Sequence, residues 1–108
     1  MKDLSGLSGK TFKLEKLVEY QENSIVSKNL FDRKNSNLTL FAIDKGQTIS
    51  EHTTPFKAFV IVLDGKAKIK IGDKELILGE KESTVMPPNV PHALEGIKSF
   101  KMLLIMVN

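Results

Sequence analysis

The chain has 108 residues, 41% apolar and 27% charged, enough to bury one hydrophobic core as a single globular domain. It contains no cysteine, which excludes disulfides, thiolate catalysis and cysteine-ligated zinc or iron–sulfur centres, and it fits a reducing, cytoplasmic setting. The net charge of +3 rests on lysines and one arginine, Arg33, and 6% of residues are aromatic, so neither an arginine readout of nucleic acid nor a base-stacking platform is expected.

Residues 1–10 are rich in serine and glycine and read as a loose arm, with no apolar stretch of the kind a secretory signal carries. Leu14, Leu17 and Val18 have helical spacing, so 14–20 reads as a helical turn or an irregular edge segment. A strand is expected over 24–31, then a turn in the Asp-, Asn- and Ser-rich stretch 32–37. An apolar strand follows over 38–43 and closes at Asp44-Lys45-Gly46. Residues 57–63 form another, rich in β-branched and aromatic side chains, which stops at Asp64-Gly65. That Asp-Gly step reads as a hairpin into 66–71. Gly72-Asp73 makes a second tight turn before 75–78. Short strands at 84–86 and 93–94 and a long one at 100–107 complete the chain.

Roughly eight or nine short strands at even spacing indicate an all-β antiparallel sandwich or barrel. Residues 1–35 read as an arm and edge strand, and 36–108 as the barrel core of the same single domain. Alternation turns Ala67, Ile69 and Ile71 inward and leaves Lys66, Lys68 and Lys70 on a solvated face, which accounts for these lysines without a nucleic-acid patch. The last strand is apolar on both parities. It is therefore expected to be buried on both faces, with a second subunit as one candidate cover. Its apolar run is far too short to span a bilayer, and no membrane association is expected. Phe41, Phe56, Phe59 and Phe100 read as barrel core.

Only two histidines occur, in Gly46-Gln47-Thr48-Ile49-Ser50-Glu51-His52-Thr53-Thr54-Pro55 and in Met86-Pro87-Pro88-Asn89-Val90-Pro91-His92. Both stretches lie between strands. Metal or proton-transfer chemistry would run through these two side chains. No nucleophile elbow surrounds Ser50, and no phosphate-cradling glycine loop is present.

In this setting the stretch from Gly46 to His92 resembles a small single-domain cupin, whose fold is a jelly-roll barrel, the antiparallel double-stranded β-helix. Gly46, His52 and Gly65 match the first cupin motif. Thr54 stands where the family keeps a second metal histidine, and Ala58 where it keeps a glutamate. In the second motif Pro87 and His92 match. Asn89 replaces a glycine with a residue that tolerates left-handed backbone. Lys81 stands at the first glycine, with Gly79 displaced by two positions, and Gly96 stands at the asparagine. The likeness covers roughly residues 36–107.

The resemblance implies a pocket lined by His52, Thr54, Ala58, Met86 and His92, in which His52 and His92 could ligate one divalent transition metal (Zn, Fe, Mn, Ni or Cu). Water, Gln47 or Glu51 would complete an open site, although Glu51 has the wrong parity unless a bulge re-aims it. Met86, Met102 and Met106 read as core filling, with a soft ion such as Cu(I) as the alternative. Three functions stay open. They are a barrel binding a small-molecule ligand, a metal-dependent cupin enzyme of the oxygenase or isomerase type, and an interaction module whose cavity is filled. A homodimer is also implied.

Overall fold

The computed structural model describes residues 4–108. Residues 1–3 of the expected arm lie outside the described residues. Two short 3-10 turns, Leu4–Leu7 and Leu14–Leu17, precede the strands β1 (Ile25–Arg33), β2 (Ser36–Ile43), β3 (Thr48–His52), β4 (Lys57–Asp64), β5 (Ala67–Ile71), β6 (Lys74–Leu78), β7 (Ser83–Met86), β8 (His92–Gly96) and β9 (Phe100–Val107). They form a five-stranded sheet in the order β1-β2-β9-β4-β7 and a four-stranded sheet in the order β3-β8-β5-β6. Every pairing is antiparallel. The all-β antiparallel class expected from the turn spacing is the class observed, and so is the jelly roll that the resemblance implies.

Strand parity builds the core. Ala58, Val60 and Val62 of β4, Phe100 and Met102 of β9, Ala67 and Ile69 of β5, and Leu94 of β8 meet in one buried cluster between the sheets. Each large aliphatic or aromatic side chain buried there contributes about 1.5–3 kcal/mol. The same parity turns Phe59 outward, where it is 41% exposed. Its expected place in the core is corrected by its two buried strand neighbours, Ala58 and Val60, which claim the inner face.

Two turns also differ from expectation. β1 and β2 run on through the polar stretch 32–37 and reverse over Lys34 and Asn35 alone, because those polar residues still pair in the ladder, Asp32 with Asn37 and Arg33 with Ser36. The Asp64-Gly65 step is not a hairpin. β4 pairs with β7 and β9, whereas β5 pairs with β6 and β8, so the step carries the chain from one sheet to the other. Gly65 makes this corner at φ +83, with its backbone so close to β9 that a Cβ would lie 1.9 Å from the carbonyl oxygen of Ser99. Only glycine fits there.

β9 is the central strand of the larger sheet. Its inner face meets the main core. On the outer face Leu103 joins Val18, Leu30, Leu40 and Ala42 in a second cluster, against which Leu14 and Leu17 pack. The cover over this part of β9 is thus the chain's own segment 14–18. That segment and Tyr20 just beyond it are fastened by three contacts. The Tyr20 hydroxyl donates to Asp64 Oδ2 at 2.5 Å, and the Lys101 ammonium donates to the Glu15 carbonyl at 2.7 Å. The same ammonium lies 5.1 Å from the centre of the Tyr20 ring.

Candidate functional site

Between the sheets lies a cavity of about 470 Å³ lined by twelve residues. His52, Thr54, Ala58, Met86 and His92, brought forward by the cupin motifs, all line it. So do Met102 and Met106, together with Phe41, expected in the barrel core. Ile25, Ile49, Leu94 and Leu104 complete the wall. Strand parity could have found them: Ile49 is in register with Leu94, and Leu104 stands two residues from both Met102 and Met106. Nine of the twelve lining residues are apolar, so His52, Thr54 and His92 are the polar anchors of an otherwise greasy wall.

The two imidazoles reach this wall by different routes. β8 presents His92 and Leu94 inward by simple alternation, and His92 is buried at 4% exposure. β3 does not alternate simply. Ile49 pairs with Leu94 and His52 with His92, so three residues on β3 match two on β8. Ser50 and Glu51 together oppose Ala93 alone, a bulge that brings His52 to the face that Ile49 also occupies. Glu51, which needed such a bulge to face the cavity, is not among its lining residues. His52 is exposed at the rim, with His92 behind it.

Both rings are oriented by backbone. His52 Nδ1 lies 2.8 Å from the Ser50 carbonyl oxygen, and His92 Nδ1 lies 3.3 Å from that of Val90. A carbonyl can only accept, so Nδ1 carries the proton in each neutral ring and Nε2 keeps the lone pair. Burial pushes the His92 imidazole below its ordinary titration range, and the neighbouring His52 pushes it the same way. Thr54 closes the loop. Its carbonyl accepts from the Asn89 N–H at 2.8 Å and its hydroxyl from the Phe56 N–H at 3.2 Å.

The motif glycines explain this loop geometry. Gly46 and Gly65 have φ of +84 and +83, and the two positions where other residues replace glycine keep the same left-handed backbone, Lys81 at +70 and Asn89 at +64. The motif's first glycine is therefore matched in conformation by Lys81 and not by Gly79.

The divalent metal implied by the resemblance meets only part of its usual donor set. A catalytic zinc site takes three protein ligands, whereas no group of three or more His, Asp or Glu side chains converges among the described residues. Ala58 offers a methyl group, and Thr54 a hydroxyl already bonded to backbone. Two neutral imidazoles do not fit a tightly held divalent ion.

The sandwich and its inward histidines define a cupin-type barrel. The comparisons agree: a family model described as "Cupin domain" matches residues 39–108, and the chain belongs to that family. Among solved structures, a conserved protein of unknown function from Streptococcus pyogenes is 35% identical, with a TM-score of 0.90 over 93% of this chain and 88% of its own. A cupin 2 conserved barrel domain protein from Leptotrichia buccalis is 45% identical with a TM-score of 0.87. The match takes in 90% of this chain but 47% of that one, so the chain spans about half the length of that relative. A cupin superfamily protein from Desulfitobacterium hafniense is 27% identical over 92% of this chain and 91% of its own, with a TM-score of 0.88. No curated protein matches the chain. No helix among the described residues is long and apolar enough to cross a membrane.

Proposed function

We propose that this cupin binds a small, largely apolar organic molecule carrying one hydrogen-bond donor, such as a phenol or an aliphatic alcohol. The observation that supports this is the pairing of an apolar cavity of about 470 Å³ with two imidazoles whose Nδ1 atoms are tied to backbone carbonyls. That volume falls within the range of small-molecule sites, about 300–1,000 Å³. The free lone pairs on Nε2 suit a ligand that donates. The cysteine-free composition supports a cytoplasmic setting for this role.

The test is a thermal-shift screen of phenols and short alcohols, followed by NMR of the imidazole nitrogens. A ligand at one hundred times its Kd adds about 2.7 kcal/mol of stability. The expected result is a raised Tm with shifts at His52 and His92 that are lost in His52→Ala. A panel that moves neither Tm nor the imidazole signals overturns the proposal and favours an interaction module.

We also propose a homodimer formed through the outer face of the larger sheet. Val85, Phe59, Ile105, Leu38 and Phe31 are successive register partners across its five strands, an unbroken apolar row. Phe59 and Val85 are 41% and 50% exposed in the single chain. A second copy would remove this row from water. Sedimentation should give twice the mass of the chain, and Phe59→Lys should give a monomer. A wild-type monomer at high protein concentration removes this reading.

A further inference from the structure

We propose that the mouth of the cavity binds a soft monovalent cation, Cu(I) or its redox-stable analogue Ag(I), through Nε2 of His52 and His92 and the thioether sulfurs of Met86 and Met106. Chain connectivity puts these residues at one end of the barrel. The chain leaves β3 at His52 and enters β4 at Lys57–Ala58, and it leaves β7 at Met86 and enters β8 at His92. Both crossings are short and occur at the same end, joined to each other by the Asn89–Thr54 backbone bond. All four proposed ligands line the same cavity.

Register then places the two methionines. Ala58 pairs with Met86 on one side and with Met106 on the other. The two methionines are therefore separated by two strand spacings, roughly 10 Å between backbones, across a residue that offers only a methyl group. Their long, flexible side chains span that gap where a larger central side chain would block it. At the position where the cupin motif keeps a carboxylate, the chain thus has a methyl group flanked by two thioethers, and the donor set changes from hard to soft.

The imidazoles suit the same ion. Each ring donates its Nδ1 proton to a backbone carbonyl, the arrangement that orients metal-binding histidines, and the ring centres are 4.4 Å apart. Thioether and imidazole donors with no carboxylate select Cu(I) over harder divalent ions. The ion would use the same Nε2 atoms as the organic ligand, so the two occupants exclude each other, and the double methionine variant tests the ion site without altering either imidazole.

The experiment is a titration of the full chain, labelled at the methionine methyl groups, with silver nitrate in chloride-free buffer. One equivalent should shift the Met86 and Met106 methyl signals and both imidazole Nε2 signals. Met102, four residues from Met106 and so roughly 13 Å along β9, serves as an internal reference and should move least. Met86→Leu combined with Met106→Leu nearly conserves volume and should keep the melting transition while weakening Ag(I) binding at least tenfold. Zn(II) should bind at least tenfold more weakly than Ag(I). The proposal fails if only the imidazoles respond, if the double leucine variant binds Ag(I) unchanged, or if Zn(II) binds as tightly.

Discussion

His52 and His92 stand directly opposite one another across the β3–β8 pair, their ring centres 4.4 Å apart and their planes at 69°. Two charges at this distance repel by about 1 kcal/mol even in water, and by several times that where water is partly excluded. Their closeness, together with burial, opposes a charge on His92.

Acid should therefore weaken both the fold and the site. Because the folded state holds His92 below its ordinary value of 6.5, the neutral ring contributes stability that is fully present above that pH. That contribution is lost as the pH falls from 6.5 through the folded value. Melting curves between pH 7.5 and 5 should show a fall in Tm that His92→Asn reduces. An NMR titration placing the His92 midpoint above 6.5 would falsify the burial account.

Replacing Ala58 with glutamate should convert the donor set. The new carboxylate would share the cavity wall with both imidazoles and bring the protein ligands to three, the number typical of a catalytic zinc site. Ala58→Glu without metal should be less stable by about 1–3 kcal/mol or more, since an unpaired carboxyl group enters an apolar wall. Calorimetry should find Zn(II) bound at least tenfold tighter than by the parent, with stability recovered. An unchanged Zn(II) affinity would mean that the three groups do not converge.

Lys81 pays a backbone cost that glycine avoids. Its left-handed φ of +70 costs roughly 1–2 kcal/mol for an L-residue, and the greater chain entropy of glycine offsets about half of that. Lys81→Gly should raise stability by about 0.5–1 kcal/mol in urea denaturation, with no change in the slope of the transition. Lys81→Val, β-branched at the same φ, should lower it.

Tyr20→Phe should loosen the N-terminal cover without touching the cavity. The bond to Asp64 is short, but the hydroxyl is partly exposed, so its loss should cost about 1 kcal/mol. Desolvation, aided by the Asp64 carboxylate, also pushes the Tyr20 hydroxyl far above its ordinary range. A titration with an ordinary tyrosine midpoint near 10 would show that the bond is not formed in solution.

Much of this was legible in the sequence because alternation and turn chemistry are local. Ala67 and Ile69 announced their burial, and glycine, proline and histidine in order gave the barrel. Other features depend on which strands end up adjacent. Asp64-Gly65 has the composition of a hairpin, yet the chain changes sheets there because Gly65 packs against Ser99. Segment 14–18 gives no sign in its own residues that β9 is its destination. His52 reads as inward on the expectation that Thr54 shares its face, but its aim depends on a two-against-one pairing with β8 that only the folded register contains.

The bulge at Ser50 and Glu51 has a consequence for how such a site can be lost. His52 faces the cavity through the number of residues that separate it from Ile49, whatever their chemical kind. Removing Ser50 or Glu51 would leave the histidine two residues from Ile49, on the same face by plain alternation and still opposite His92. Pairing β3 without the bulge at its present length would instead turn the imidazole into solvent. This edge can shed a residue and keep its histidine pair, but it cannot lose the bulge alone.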